Sequence, residues 1–149
     1  MIKEKKSCGG FTLIEIMLVV GIILIVGFFS AAFSTRMIPQ MAVSSTADIF
    51  RSVLGKAQVY AISGREYSPW GVHYENHMIT MFKGDSYAMR NTNFDEKTKI
   101  DEMVEVSGFA DNIFALPNGM PSEFGRDIII SSKNMEKMII SLNKEGVVE

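Results

Sequence analysis

An uncharged stretch of side chains from Ile16 to Thr35 constrains this chain more than any other feature. At ~1.5 Å of rise per residue, about 20 such residues match the hydrocarbon thickness of a bilayer. One carboxylate, Glu15, stands at the head of the run. A carboxylate in a membrane helix costs on the order of 2.5–3.5 kcal/mol on insertion scales. A residue kept at that cost implies a partner.

The spacing names a candidate partner. A cut between Gly10 and Phe11 would give Phe11 a free α-amino group at the start of the helix. Glu15, four residues on, would share its helical face. An ammonium is disfavoured at the positive end of a helix dipole, whereas a carboxylate in the first turn is favoured. Glu15 can therefore neutralise the amine of its own chain or of a neighbouring copy. The pairing has a purpose only if the cut is made.

These residues resemble the N-terminal processing signal of type IV prepilins and pseudopilins. The match consists of a short basic leader, Gly10 before the cut, Phe11 after it, then Thr12-Leu13-Ile14, Glu15 and an apolar helix. It covers about the first quarter of the chain. The resemblance implies cleavage between Gly10 and Phe11 by a prepilin peptidase, N-methylation of Phe11, and assembly through Glu15. The partners it implies are other pseudopilins or pilins in a filament and an inner-membrane assembly platform. It places the protein in the bacterial inner membrane as a single-pass chain, N-terminus cytoplasmic and C-terminal domain periplasmic or otherwise extracytoplasmic. Lys3, Lys5 and Lys6 agree with that orientation by the positive-inside rule. An ordinary secretory signal with a small-residue site at Ala32-Phe33-Ser34 is the plainer alternative, but it leaves Glu15 without a role.

Charge and cysteine narrow the class further. The chain has 15 Lys and Arg against 17 Asp and Glu. Loss of the leader removes three lysines and Glu4, leaving 12 against 16 and a net charge of −4. Nucleic acid is therefore an unlikely partner on charge grounds. The one cysteine, Cys8, lies in the leader, so a processed chain cannot close an internal disulfide. Many major type IV pilins close a C-terminal loop with a disulfide; the departure favours a pseudopilin or minor pilin.

Beyond the apolar run, Pro39 should kink or interrupt the helix. A second helical pattern follows, with Val43, Ala47, Phe50, Leu54, Ala57 and Ala61 at spacings of three and four, possible caps at Ser44, Ser45 and Thr46, and a stop at Gly64. The period then changes to two. Trp70, Val72 and Tyr74 read as a strand, Glu75-Asn76-His77 as a turn, and Met78 to Phe82 as the return. Residues 87–100 are polar and are expected to include a long loop. Short strands are expected at Met103–Val106, Ile113–Leu116, Ile128–Ile130, Met138–Leu142 and Val147-Val148, with a break at Pro117–Pro121 and a turn at Asn143–Gly146.

The predicted fold is α+β: an N-terminal membrane-spanning helix continuing into an amphipathic stem helix packed on a small, mostly antiparallel β-domain. The expected divisions are a leader at 1–10, a transmembrane and assembly helix at 11–35, a stem helix at 36–65 and a β-domain at 66–149. This order, with Ser141-Leu142-Asn143-Lys144-Glu145-Gly146-Val147 near the end, looks like the H-type minor pseudopilins of type II secretion and related minor type IV pilins. The function so implied is a structural subunit contributing to protein secretion, with pilus assembly or DNA uptake as the alternative.

No catalytic, metal or cofactor site is expected. His73 and His77 are two ligands at most, short of a zinc set, and read as exposed hairpin residues. Asp95, Glu96, Asp101, Glu102 and Glu105 lack the glycine and the spacing of a calcium loop. Trp70 reads as a core aromatic contacting the stem. The chain is expected not to be an enzyme.

Overall fold

The computed structural model describes residues 10–133 and 137–149, with the side chains of 30–36 left aside. The leader residues Cys8, Lys3, Lys5 and Lys6 lie outside the described residues. The chain divides into two compact units, Met1–Arg36 and Met37–Glu149.

Helix α1 spans Leu13–Ile62 and begins in the first unit. From Leu13 to Phe29 the large side chains other than Glu15 are apolar and exposed: Leu13 is 77% exposed, Leu24 67% and Phe28 76%. A helix that is apolar all round is made for an apolar surrounding.

Pro39 lies inside α1 and does not end it. Proline removes one N–H from the ladder, but the turns on both sides keep their own bonds, and the helix carries on across the gap. Ser44, Ser45 and Thr46 are consequently interior helical positions and cap nothing. The helix stops where expected: Gly64 takes φ 64°, and its N–H bonds the carbonyl of Ala61.

Among the described residues of the second unit, seven strands make two antiparallel sheets. The first has the order β3-β2-β1-β5, from β1 (Trp70–Glu75), β2 (Met78–Lys83), β3 (Asn91–Lys99) and β5 (Asp111–Phe114). The second has the order β4-β6-β7, from β4 (Val104–Ser107), β6 (Asp127–Ser132) and β7 (Lys137–Ser141). All pairings are antiparallel.

The six stripe residues of α1 from Val43 to Ala61 are at most 3% exposed and join residues of both sheets in one core. Phe50 sits at the junction, edge-on to Phe109 (centroids 5.5 Å apart) and tilted on Tyr74 at 5.8 Å. Each large apolar side chain buried here contributes about 1.5–3 kcal/mol. On β6 the alternation is clean, with Ile128, Ile130 and Ser132 buried.

Two expectations fail. Residues 91–99 form a nine-residue strand, not a loop. β3 is an edge strand with ladder bonds on one side and much of its surface in water, so it needs no apolar alternation; pairing with β2 decides it. Conversely, Val147-Val148 makes no strand beyond a bridge between Leu142 and Val148. Gly146 at φ 83° closes a turn, and the pairing beyond it is limited to that bridge and to two backbone bonds exchanged by Ser141 and Glu149 at 3.0 and 2.9 Å.

Candidate functional site

The N-terminal segment is built around Thr12. Its hydroxyl accepts a bond from the Glu15 N–H at 3.4 Å, and its carbonyl accepts from Glu15 at 3.1 Å and Ile16 at 3.3 Å. Thr12 is thus the N-cap of α1, and Glu15 is the third residue of the first turn. The sequence signal for this is Thr12-Leu13-Ile14-Glu15, the spacing of a capping box, which the resemblance to a processing signal overshadowed. Gly10 and Phe11 precede the cap and are exposed, Phe11 at 81%.

Phe11 lies outside the helix, because the cap residue leaves helical φ/ψ and the chain before it is not wound. Phe11 and Glu15 therefore do not share a helical face in the sense of an i,i+4 pair. What remains is the position of Glu15 at the positive end of the dipole. Its carboxylate is exposed, and from Leu13 to Phe29 it is the one charged group.

The expected membrane run extends into positions 30–36, whose side chains are not described. Among the described residues no helix is long and apolar enough to cross a membrane.

The remaining candidates fall into structural roles. His73 is not an exposed hairpin residue: its ring stacks on Tyr87 at 3.6 Å and 15°, under the loop 84–90. Its nitrogens are buried without a hydrogen-bond partner, while Glu75 Oε2 stands 3.8 Å from Nε2. Asn76 and His77 form the two-residue turn between β1 and β2 with φ 50° and 59°. Trp70 is 1% exposed, edge-on to Tyr60 of α1 at 5.0 Å, and its Nε1–H donates to the Arg65 carbonyl at 3.1 Å.

The acidic run is largely spent on ion pairs. Asp95 takes Arg90 Nε with both oxygens at 3.0–3.1 Å, Glu96 takes Lys56 of α1, and Glu102 takes Lys99 at 2.8 Å. The Glu96 hydrogen bond raises the Lys56 ammonium above its ordinary value. Desolvation likewise raises the Tyr74 hydroxyl. Among the described residues no three His, Cys, Asp or Glu side chains are grouped to hold a metal ion.

One feature of the far end of α1 has no clear sequence signal. Gln58 donates through Nε2 to the carbonyls of Gly119, at 3.3 Å, and Glu145. It ties the loop after β5 and the loop after β7 to the helix. Both loops approach it at glycines with positive φ, Gly119 (65°) and Gly146 (83°). A Cβ on Gly119 would come within 2.8 Å of Ile62 Cδ1, and one on Gly146 would strike Gln58 Nε2.

A family model described as the prokaryotic N-terminal methylation motif matches residues 5–31. The chain is type IV prepilin-like. The match takes in the second half of the leader, the cap and the exposed apolar part of α1, and the α+β architecture is consistent with a pilin-like fold. A motif of this kind implies processing by a prepilin peptidase, assembly with other pilins and a membrane-anchored protein. No curated protein and no solved structure matches the chain.

Proposed function

We propose that the chain is a structural subunit, and not an enzyme: a minor pseudopilin of a type II secretion pseudopilus. In this reading the peptidase cuts between Gly10 and Phe11, the new amine of Phe11 is methylated, and Glu15 steers assembly on an inner-membrane platform. The chain crosses the inner membrane once, with its leader in the cytoplasm and the β-domain outside. The observation that carries the reading is the capped helix start. Thr12 fixes Glu15 in the first turn, as the lone charge from Leu13 to Phe29. Apolar contacts drive association, and the charge sets register against a neighbour's amine.

The alternative role in DNA uptake is disfavoured by the pairing of basic side chains. Arg51, Lys56, Lys83, Arg90, Lys99 and Arg126 each face a carboxylate within 4 Å. Phosphate contacts need such cations in excess.

Mass spectrometry of the membrane-extracted protein tests the processing step. The expected N-terminus is Phe11 carrying one methyl group. A start near Phe33 or Thr35 would replace this reading by an ordinary secretory signal. Co-purification with secretion-system pseudopilins tests the assignment to secretion; recovery with retractable-pilus subunits alone would move it to a minor pilin.

A further inference from the structure

The loop after β5 holds Asn118-Gly119, and Asn118 is the one asparagine of the chain followed by glycine. The successors of the other six are His77, Thr92, Phe94, Ile113, Met135 and Lys144. A glycine successor leaves its backbone nitrogen open to approach an asparagine side chain, which bulkier residues hinder. Asn118 is exposed, and its Oδ1 accepts a bond from the Met120 N–H at 3.3 Å. That bond polarises the side-chain carbonyl and is placed to stabilise an oxyanion forming there. The electrophile is therefore prepared.

The nucleophile is withheld. The Gly119 N–H donates to the Ala115 carbonyl at 2.7 Å, a group that cannot take its proton. The loop is cross-tied by Ala115 N–H to the Met120 carbonyl at 2.8 Å, and the Gly119 carbonyl is held from outside by Gln58.

We propose that Asn118 is a latent self-modification site of this protein, kept silent by the Gln58 clamp. When the clamp opens, the Gly119 nitrogen gives its proton to solvent base and attacks Asn118 Cγ. A C–N bond forms, the Cγ–Nδ2 bond breaks, and ammonia leaves with a proton from water. Water then opens the cyclic imide at either carbonyl, giving aspartate or isoaspartate. No oxidant, cofactor or enzyme is needed. The product adds a negative charge, and in the isoaspartate an extra backbone methylene, between the exposed side chains of Leu116 and Met120. A subunit whose C-terminal loops have come off the helix is thereby marked irreversibly.

The test is peptide mapping by mass spectrometry, with isoaspartate detection, on the full chain incubated in detergent at mildly alkaline pH. Four samples are compared: native wild type, wild type in denaturant, native Gln58→Ala, and native Gln58→Met, which keeps the side-chain length and removes the donor. Circular dichroism checks that each native sample is folded. Conversion is expected at Asn118 ahead of the other asparagines in denaturant, slower by at least about tenfold in the native wild type, since reaction there requires local opening. Both Gln58 variants should recover most of the difference while folded. An inert Asn118 in denaturant would overturn the site. Native conversion at the denatured rate would overturn the silencing. Folded Gln58 variants as slow as wild type would remove Gln58 from the account.

Discussion

Gly71→Ala offers the sharpest test of how the outer face of the first sheet is built. Gly71 of β1 lies directly opposite Phe82 of β2. The Phe82 ring folds over the bare glycine, and an added Cβ would come to 2.8 and 2.9 Å from two ring carbons and closer still to Cζ. These distances fall well inside van der Waals contact, so the ring must move by roughly half an ångström or more. It has nowhere free to go. Phe82 is fully buried and packs edge-on to Tyr87 at 5.5 Å, and Tyr87 in turn stacks on His73. Overpacking of this kind costs about 1–3 kcal/mol. Replacing glycine in a strand returns roughly 0.5–1 kcal/mol. The net expectation is a loss of up to about 2.5 kcal/mol, or a fall in Tm of up to roughly 10 °C. Thermal unfolding followed by circular dichroism in detergent measures it. Combining the change with Phe82→Leu, which frees space over the glycine, should cost less than the two single changes added, with a coupling of about 1 kcal/mol. Higher stability of Gly71→Ala, or strict additivity in the double variant, would refute the packing argument.

Glu15→Leu and Glu15→Gln should be cleaved normally but recovered poorly with partner pilins by crosslinking, because an amine entering an apolar assembly without a carboxylate costs several kcal/mol. Glu15→Asp should fall between them and wild type, and full incorporation of Glu15→Leu would end the charge-pair account. Stability should fall as pH rises above 10. The Tyr74 hydroxyl and the Lys56 ammonium both have folded values raised above their ordinary 10.0 and 10.5, so the unfolded chain releases these protons first. Tyr74→Phe should flatten that alkaline loss in a pH series of melting curves; the exposed Lys56–Glu96 pair should account for less than about 1 kcal/mol of it.

What could be read from the sequence follows the physics of each part. The α1 stripe from Val43 to Ala61 was legible because burial on one side imposes a helical period. β1 and β2 were legible because one face packs on that stripe and the other does not. β3 was illegible for the converse reason: an edge strand of Asn, Thr, Asp, Glu and Lys carries no burial pattern, and only its neighbour makes it a strand. Pro39 misled because the rule for proline concerns one lost bond, whereas helix continuity depends on the many that remain. At the N-terminus the order Gly10, Phe11, Glu15 pointed to a processing signal, but the role of Thr12 lay in a capping pattern of the same residues. The Gln58 clamp had no local signal, since its two acceptors are backbone carbonyls about 60 and 90 residues away.

The position of β3 at the rim of its sheet bears on how this domain behaves when many copies are held close together. Its outer side offers unpaired backbone groups, the template from which cross-strand aggregation grows. The strand carries Asp95, Glu96, Lys97 and Lys99 within five positions. An identical strand arriving antiparallel in full overlap would set Asp95 against Asp95, and a shift by one residue would set Asp95 against Glu96. Charges on this edge thus weigh against the registers of greatest overlap when domains crowd together. A variant with Lys97 and Lys99 replaced by valine would lose that protection, and its solubility would fall with concentration long before its fold failed.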